Sequence, residues 1–93
     1  MMFQSFQDER ARKLMDRLSV VELVNIEEQA RTRLIRLDSA TSLEDLRAFR
    51  VNRLEALTGA RKGQFSIRIN DQYRICFNRE AKGPTDVEIA DYH

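Results

Sequence analysis

The chain has 93 residues, 42% of them hydrophobic, a length that suits one domain spanning residues 1–93 with one modest core and leaves no room for two. A single cysteine excludes an intramolecular disulfide, and with one histidine beside it there is no Cys/His cluster for a structural zinc site, so no metal and no other cofactor is expected. No stretch approaches the roughly 18 to 20 apolar residues that span a bilayer, and the expectation is a soluble chain in a reducing cytoplasm, away from membranes.

The net charge of +1 hides an uneven distribution. Residues 1–46 carry seven Lys/Arg against nine Asp/Glu, residues 47–82 carry nine against three, and residues 83–93 carry three acids and no Lys or Arg. A basic middle block of this kind is the usual footprint of a polyanion-binding surface, because phosphate contacts dominate nucleic-acid affinity. The alternative is an ordinary solvated face.

Met2 to Phe6 alternates apolar and polar side chains and predicts a short strand, followed by a charged run and a short helix over Arg10–Leu18. Ser19 with Glu22 has the spacing of a capping box, and Leu23, Ile26, Ala30, Leu34 and Leu37 recur at helical spacing, predicting the main helix over residues 20–37. Its opposite face carries Glu27, Glu28, Arg31 and Arg33, read as solvated charge. A polar connector, Asp38–Ser42, leads to one capped turn from Ser42 through Leu46. Four strands are then expected over Arg53–Leu57, Gln64–Asn70, Tyr73–Asn78 and Asp86–Tyr92, separated by Gly59, Gly63 and Gly83-Pro84. Helices first and strands afterwards indicate an α+β fold.

The segment from Phe65 to Phe77 fixes faces. Phe65, Ile67 and Ile69 share one side of their strand, and Tyr73, Ile75 and Phe77 one side of the next, so both sets face the helices. Only a three-residue loop, Asn70-Asp71-Gln72, sets Ile69 opposite Tyr73 and Ile67 opposite Ile75. That register brings Arg68 opposite Arg74 on the other face, beside Ser66 and Cys76. Like charges directly opposed cost on the order of 0.2 to 1 kcal/mol. Compensation comes either from a carboxylate, with Glu55 and Glu88 as candidates, or from an external phosphate held by arginine. In the last strand Glu88, Ala90 and Tyr92 fall on the arginine face, and the only histidine, His93, is by residue type the natural candidate for a proton carrier.

The motifs NRLEALTG, RKGQFSIRINDQYRICF and VEIADYH, in this order and spacing, resemble the HigB toxins of the RelE/ParE superfamily, including the group called GraT-like. The resemblance spans essentially the whole chain and is strongest after Asn52. It implies an α+β, RelE-like fold: two N-terminal helices packed on a small, mainly antiparallel curved sheet whose exposed face receives RNA. Members are similar in being toxins of type II toxin-antitoxin systems that cut messenger RNA on the ribosome, without metal, by attack of a ribose 2′-hydroxyl on the adjacent phosphate. The chemistry needs a base for that hydroxyl, positive charge for the phosphorane oxygens and an acid for the leaving oxygen. The match places Arg74 on the scissile phosphate and Asp91, Tyr92 and His93 in a terminal cluster that positions RNA and moves protons. Arg61 and Lys62 of the Gly59–Gly63 loop, with Arg53 and Arg68, become contacts to the RNA backbone. The implied partners are the ribosome, mRNA and a HigA-type helix-turn-helix antitoxin, through which alone the toxin would reach DNA.

One departure stands out. Well-studied HigB toxins have a histidine and then a lysine where this chain has Glu55 and Thr58, and the GraT-like group shares the glutamate. Glu55 then serves either as the base or as a structural partner of Arg53 or Arg74, a carboxylate beside arginines keeping its charge. The base stays open among Glu55, His93 and, less favoured by its high intrinsic pKa, Tyr92. The competing readings are a catalytically weak or inactive module that binds RNA or antitoxin, and an ordinary interaction domain of a larger complex.

Overall fold

A computed structural model describes residues 3–91 of the chain. Three short helices are followed by a four-stranded antiparallel sheet of order β1-β2-β3-β4, the α+β arrangement expected. The helices are α1 (Glu9–Met15), α2 (Glu27–Ser39) and α3 (Leu43–Ala48). The strands are β1 (Glu55–Ala56), β2 (Gln64–Arg68), β3 (Tyr73–Glu80) and β4 (Gly83–Asp91). No helix among the described residues is long and apolar enough to cross a membrane.

One face of the sheet and the inner faces of α1 and α2 share a core: Leu14 and Ala11, then Leu23, Leu34 and Leu37, then Ile67, Ile75, Phe77, Val87 and Ile89 are all buried in one cluster. Phe65 and Phe77 are opposite one another in β2 and β3, with ring centroids 6.1 Å apart. The alternation of β2 and β3 is therefore the force that sets their register, since a slip of one residue would turn every one of these side chains to the other face.

The β2–β3 hairpin closes as expected. Ile69 N–H donates to the Tyr73 carbonyl at 2.9 Å, leaving Asn70, Asp71 and Gln72 as the loop. The Asn70 side-chain oxygen accepts from both Gln72 N–H (2.9 Å) and Tyr73 N–H (2.8 Å), so the asparagine supplies the turn with its own acceptor. Between β3 and β4 the register shifts between Cys76 and Asn78, with Asp86 at φ +51° as the extra residue on β4. A bulge of this kind sharpens local twist and bends the strand.

The N-terminal half departs from several expectations. Residues 21–26 form a 3-10 helix rather than the first turns of the main α-helix, which begins at Glu27. Leu23 and Ile26 are buried at a spacing of three, which serves a three-residue turn as well as a 3.6-residue one. The expected capping box does not form: Ser19 donates to Glu27 Oε1 at 3.2 Å, and the 3-10 segment starts after Val20 without a side-chain cap. Instead Asp8 caps α1 by accepting from Arg10 N–H, and its other oxygen accepts from Ile89 N–H at 3.0 Å, locking α1 to β4. The Ser42 cap of α3 is present, accepting from Asp45 N–H at 3.3 Å.

The opening segment is not a strand. Phe6 makes only an isolated parallel bridge with Val87, flanked by hydrogen bonds from Gln4 N–H to Pro84 O (2.8 Å) and Gln7 N–H to Val87 O (3.0 Å). Pro84, which has no N–H, and the bulged Asp86 interrupt the β4 edge that a regular ladder needs. Met2 lies outside the described residues. Gly83-Pro84 belongs to β4 rather than separating strands, because the β3–β4 hairpin already turns at Ala81-Lys82. The expected strand at residues 53–57 shrinks to Glu55–Ala56, since Arg53 has left-handed φ and ψ of +43° and +57°. Finally, Arg31 and Arg33 are braces rather than solvated charges: Arg31 Nε donates to Leu14 O at 2.9 Å and Arg33 Nε to Arg68 O at 3.1 Å.

Candidate functional site

The sheet face turned away from the helices carries Glu55, Ser66, Arg68, Arg74, Cys76, Glu88 and Ala90, as strand alternation and the observed pairings require. Arg68 is directly opposite Arg74, and Ser66 opposite both Glu55 and Cys76. The centre of this face is less open than expected: Ser66, Cys76 and Ala90 are buried, and Arg74 itself is only 9% exposed. The Arg74 side chain lies over Ser66, with Nε donating to Ser66 Oγ at 2.7 Å.

Arg74 is anchored from several directions. Its Nη2 donates to the Arg53 carbonyl at 2.5 Å and, at 3.4 Å, to that of Ser66. Its Nη1 lies 3.8 Å from Glu55 Oε1, an ion pair too long for a hydrogen bond, on a side chain of Glu55 that is 60% exposed. Hydrogen bonds made by a charged group contribute roughly 1.5 to 3 kcal/mol each. Two good ones outweigh the cross-strand repulsion of Arg68 and Arg74, which is at most about 1 kcal/mol. Arg68 is offset separately, by an ion pair with Asp71 of the hairpin loop. Both carboxylate compensation and an arginine-lined hollow are thus present, and Glu88, the other candidate carboxylate, is used elsewhere.

The hollow is lined by Arg53, Glu55, Arg68, Asn70, Asp71 and Arg74 and has a volume of about 290 Å³. That is several times the roughly 30 Å³ share of one water in the liquid, room enough for a phosphodiester group. Three guanidinium groups against two carboxylates leave it with a positive excess. Positive charge accumulates nearby as well: burial, then the neighbouring cations Arg36 and Arg68, hold the Arg33 guanidinium below its ordinary pKa. Arg53 contributes to the hollow through its side chain and, less predictably, through the backbone carbonyl that fixes Arg74. A left-handed backbone at a residue other than glycine costs on the order of 1 to 3 kcal/mol and is kept where surrounding contacts enforce it. Here it aims that carbonyl at Arg74.

Arg61 and Lys62 lie beside a second, larger hollow of about 530 Å³, together with Gln64, Asn78, Asp86 and Glu88. Arg61 Nη1 donates to Glu88 Oε1 at 2.5 Å and to Gln64 Oε1 at 3.0 Å. Two cations face two carboxylates, and no positive excess remains. The two groups of basic residues expected to act together therefore sit in separate hollows of different charge.

Asp91 closes β4 opposite Tyr73, which places it on the core side of the sheet's end rather than on the Arg74 face. It is exposed and accepts from Gln72 Nε2 at 3.3 Å. Tyr92 and His93 lie outside the described residues. Sequence reasoning missed Ser66 as the hydroxyl that orients Arg74, although it had placed Ser66 on the right face. It also missed Asn70 and Asp71 as wall residues, for which their position in a loop adjoining two arginines was the available signal. Among the described residues no group of three or more His, Cys, Asp or Glu has the arrangement to hold a metal ion.

No curated protein sequence matches the chain. A family model does, over residues 3–93, and an α+β chain with a positively charged hollow on an open antiparallel sheet accords with its description as the RelE-like toxin of the type II toxin-antitoxin system HigB. The protein belongs to this HigB-like toxin family.

Proposed function

We propose that the protein is a ribosome-dependent endoribonuclease that cuts messenger RNA without a metal ion, acts in the cytoplasm as a single domain, and is neutralised by a HigA-type antitoxin. The observation that carries the reading is the hollow in which Arg74, held by Ser66 and the Arg53 carbonyl, stands 3.8 Å from the exposed carboxylate of Glu55, with Arg53 and Arg68 on the rim. A phosphate in this hollow meets guanidinium groups whose positions are already fixed, so little reorganisation is needed as charge builds on its oxygens.

In the proposed reaction the ribose 2′-oxygen forms a bond to phosphorus and the bond from phosphorus to the 5′-oxygen breaks. The products are a 2′,3′-cyclic phosphate and a 5′-hydroxyl. Glu55 takes the 2′-hydroxyl proton, which suits a carboxylate that is exposed and not tied down by a hydrogen bond to Arg74. Arg74 stabilises the phosphorane oxygens. His93 donates the proton to the leaving 5′-oxygen and Tyr92 positions the RNA, whereas Asp91, on the core side of the sheet with its contact to Gln72, is left out of the cluster. Arg68 and Arg53 hold flanking phosphates, with Arg61 and Lys62 as weaker contacts because Glu88 neutralises their hollow.

Brief expression followed by mapping of new 5′ ends in cellular transcripts tests this. Cuts restricted to translated regions, and absent with Arg74→Ala or His93→Ala at matched expression and folding, are the expected result. Cuts in untranslated RNA, or none with the wild-type chain, would refute it, the latter in favour of a binding module in which Arg74 serves only as a brace.

A further inference from the structure

Part of the basic block extends beyond both hollows. In the run from Arg47 to Arg53, Arg47 is neutralised by Glu44 at 2.6 Å, whereas Arg50 and Arg53 are exposed and have no ion pair among the described residues. The 3-10 turn Arg50–Asn52 closes with Arg53 N–H donating to Arg50 O at 3.0 Å, so a single turn separates the two unpaired cations. Like charges this close repel, and nothing in the turn offsets them.

Phe49 immediately precedes this turn and is 55% exposed despite its size. The Arg36 guanidinium packs on its ring, 5.1 Å from the centroid, which holds the ring in place. Beside the ring lies a depression of about 290 Å³ whose walls include Arg36, Ala40, Leu46 and Ala48. Asp45 stands on the same wall, accepting from Thr41 N–H at 2.9 Å and from the Thr41 hydroxyl. Its charge offsets that of Arg36. The depression is therefore close to neutral where the adjoining turn is cationic.

A ligand that suits both parts carries anionic groups for the turn and a flat, uncharged face for the ring. Single-stranded nucleic acid has both, and combining cations with an aromatic side chain is how such strands are held without regard to sequence. A duplex keeps its base faces stacked away, and an acidic protein segment satisfies the cations but offers the ring nothing planar. Continuity identifies the strand. Arg53 also lines the Arg74 hollow, and its carbonyl holds Arg74. The four residues from Phe49 to Arg53 reach at most about 14 Å, which a few nucleotides of strand can follow.

We infer that Phe49, Arg50 and Arg53 form a subsite for single-stranded RNA outside the hollow: one unpaired base of the substrate strand stacks on Phe49, and Arg50 and Arg53 hold the phosphates between that base and the bond to be cut. The inference rests on the proposed nuclease reading for the identity of the strand, and adds to it a contact with a base.

The test measures, by fluorescence anisotropy, binding of the full-length chain to a short labelled RNA made uncleavable by 2′-O-methyl groups. The same backbone without bases and a blunt duplex serve as controls. The single strand is expected to bind more tightly than either. Phe49→Leu should raise its Kd at least about fivefold without changing the slope of log affinity against log salt, and Phe49→Tyr should restore the affinity. Arg50→Gln should instead reduce that slope by about 0.7, the share of one phosphate contact on a single strand. Both side chains are exposed, so these substitutions leave the fold intact, which circular dichroism checks. Equal binding of the strand without bases, an unchanged Kd in Phe49→Leu, or no binding by the wild-type chain overturns the inference. So does displacement of the RNA by tetraglutamate that is lost in Phe49→Leu, which would assign the surface to an acidic protein segment. No bond is cut in this assay, so its failure leaves the nuclease reading standing, and a chain that binds in this way but cuts no transcript sinks the nuclease reading alone.

Discussion

Two hollows on one face of the same sheet carry the same kinds of residue and differ in where their carboxylates stand. Around Arg74 the acidic groups are peripheral: Glu55 is 3.8 Å away and Asp71 is engaged with Arg68 at the rim. Around Arg61 the acid is in direct contact, with Glu88 at 2.5 Å. Arg74 is instead fixed by neutral acceptors, Ser66 Oγ and a backbone carbonyl, which orient a guanidinium without cancelling its charge. Counting arginines along the chain therefore overstates the phosphate-binding surface. What distinguishes a phosphate site from an ordinary ion pair is that its cations are held in place by groups other than anions.

The largest effect should come from removing the best-anchored cation. Arg74→Ala is expected to lower the cleavage rate by about 10²-fold to 10³-fold. It should also cost about 1 to 3 kcal/mol in urea unfolding, because Ser66 Oγ and the Arg53 carbonyl lose their buried donor. Arg74→Lys, which keeps the charge but not the fork, separates the two losses if stability recovers more than rate. Glu55→Gln should reduce cleavage by roughly 10²-fold, the lower end for a lost general base, with RNA binding retained. Rates near wild type would move the base to His93.

Smaller effects sharpen the contrast between the hollows. Arg68→Ala should weaken RNA binding and reduce the slope of log affinity against log salt by about 1, as expected for one lost phosphate contact. Arg61→Gln should leave cleavage within about fivefold of wild type, since a partly exposed ion pair is worth no more than about 1 kcal/mol. If Arg61→Gln flattens the salt dependence more than Arg68→Ala does, the assignment of the two hollows is reversed.

Much of the sheet was legible because its alternation is strict. Ile67, Ile69, Tyr73 and Ile75 admit one hairpin register, and that register alone brought Arg68 opposite Arg74. The anchoring of Arg74 was not legible, because one of its acceptors is a backbone carbonyl turned inward by the left-handed Arg53, and neither feature has a side-chain signature. The N-terminal half misled for a related reason. A Ser-x-x-Glu spacing at Ser19 is compatible with a capping box, but the buried spacing of Leu23 and Ile26 suits a 3-10 turn equally, and tertiary contacts chose the latter. The split of the basic block into a cationic and a neutralised hollow depended on β4 bringing Glu88 beside Arg61, a contact between residues 27 apart in sequence.

The central claim is that the cleaved phosphate rests in the Arg74 hollow. Its most direct test compares purified wild-type, Arg74→Lys and Arg61→Gln proteins for the rate at which each cuts a defined mRNA bound to programmed ribosomes. The account predicts that Arg74→Lys, folded and ribosome-bound, loses at least tenfold while Arg61→Gln stays near the wild-type rate. Equal rates for wild type and Arg74→Lys, or a greater loss in Arg61→Gln, would contradict it.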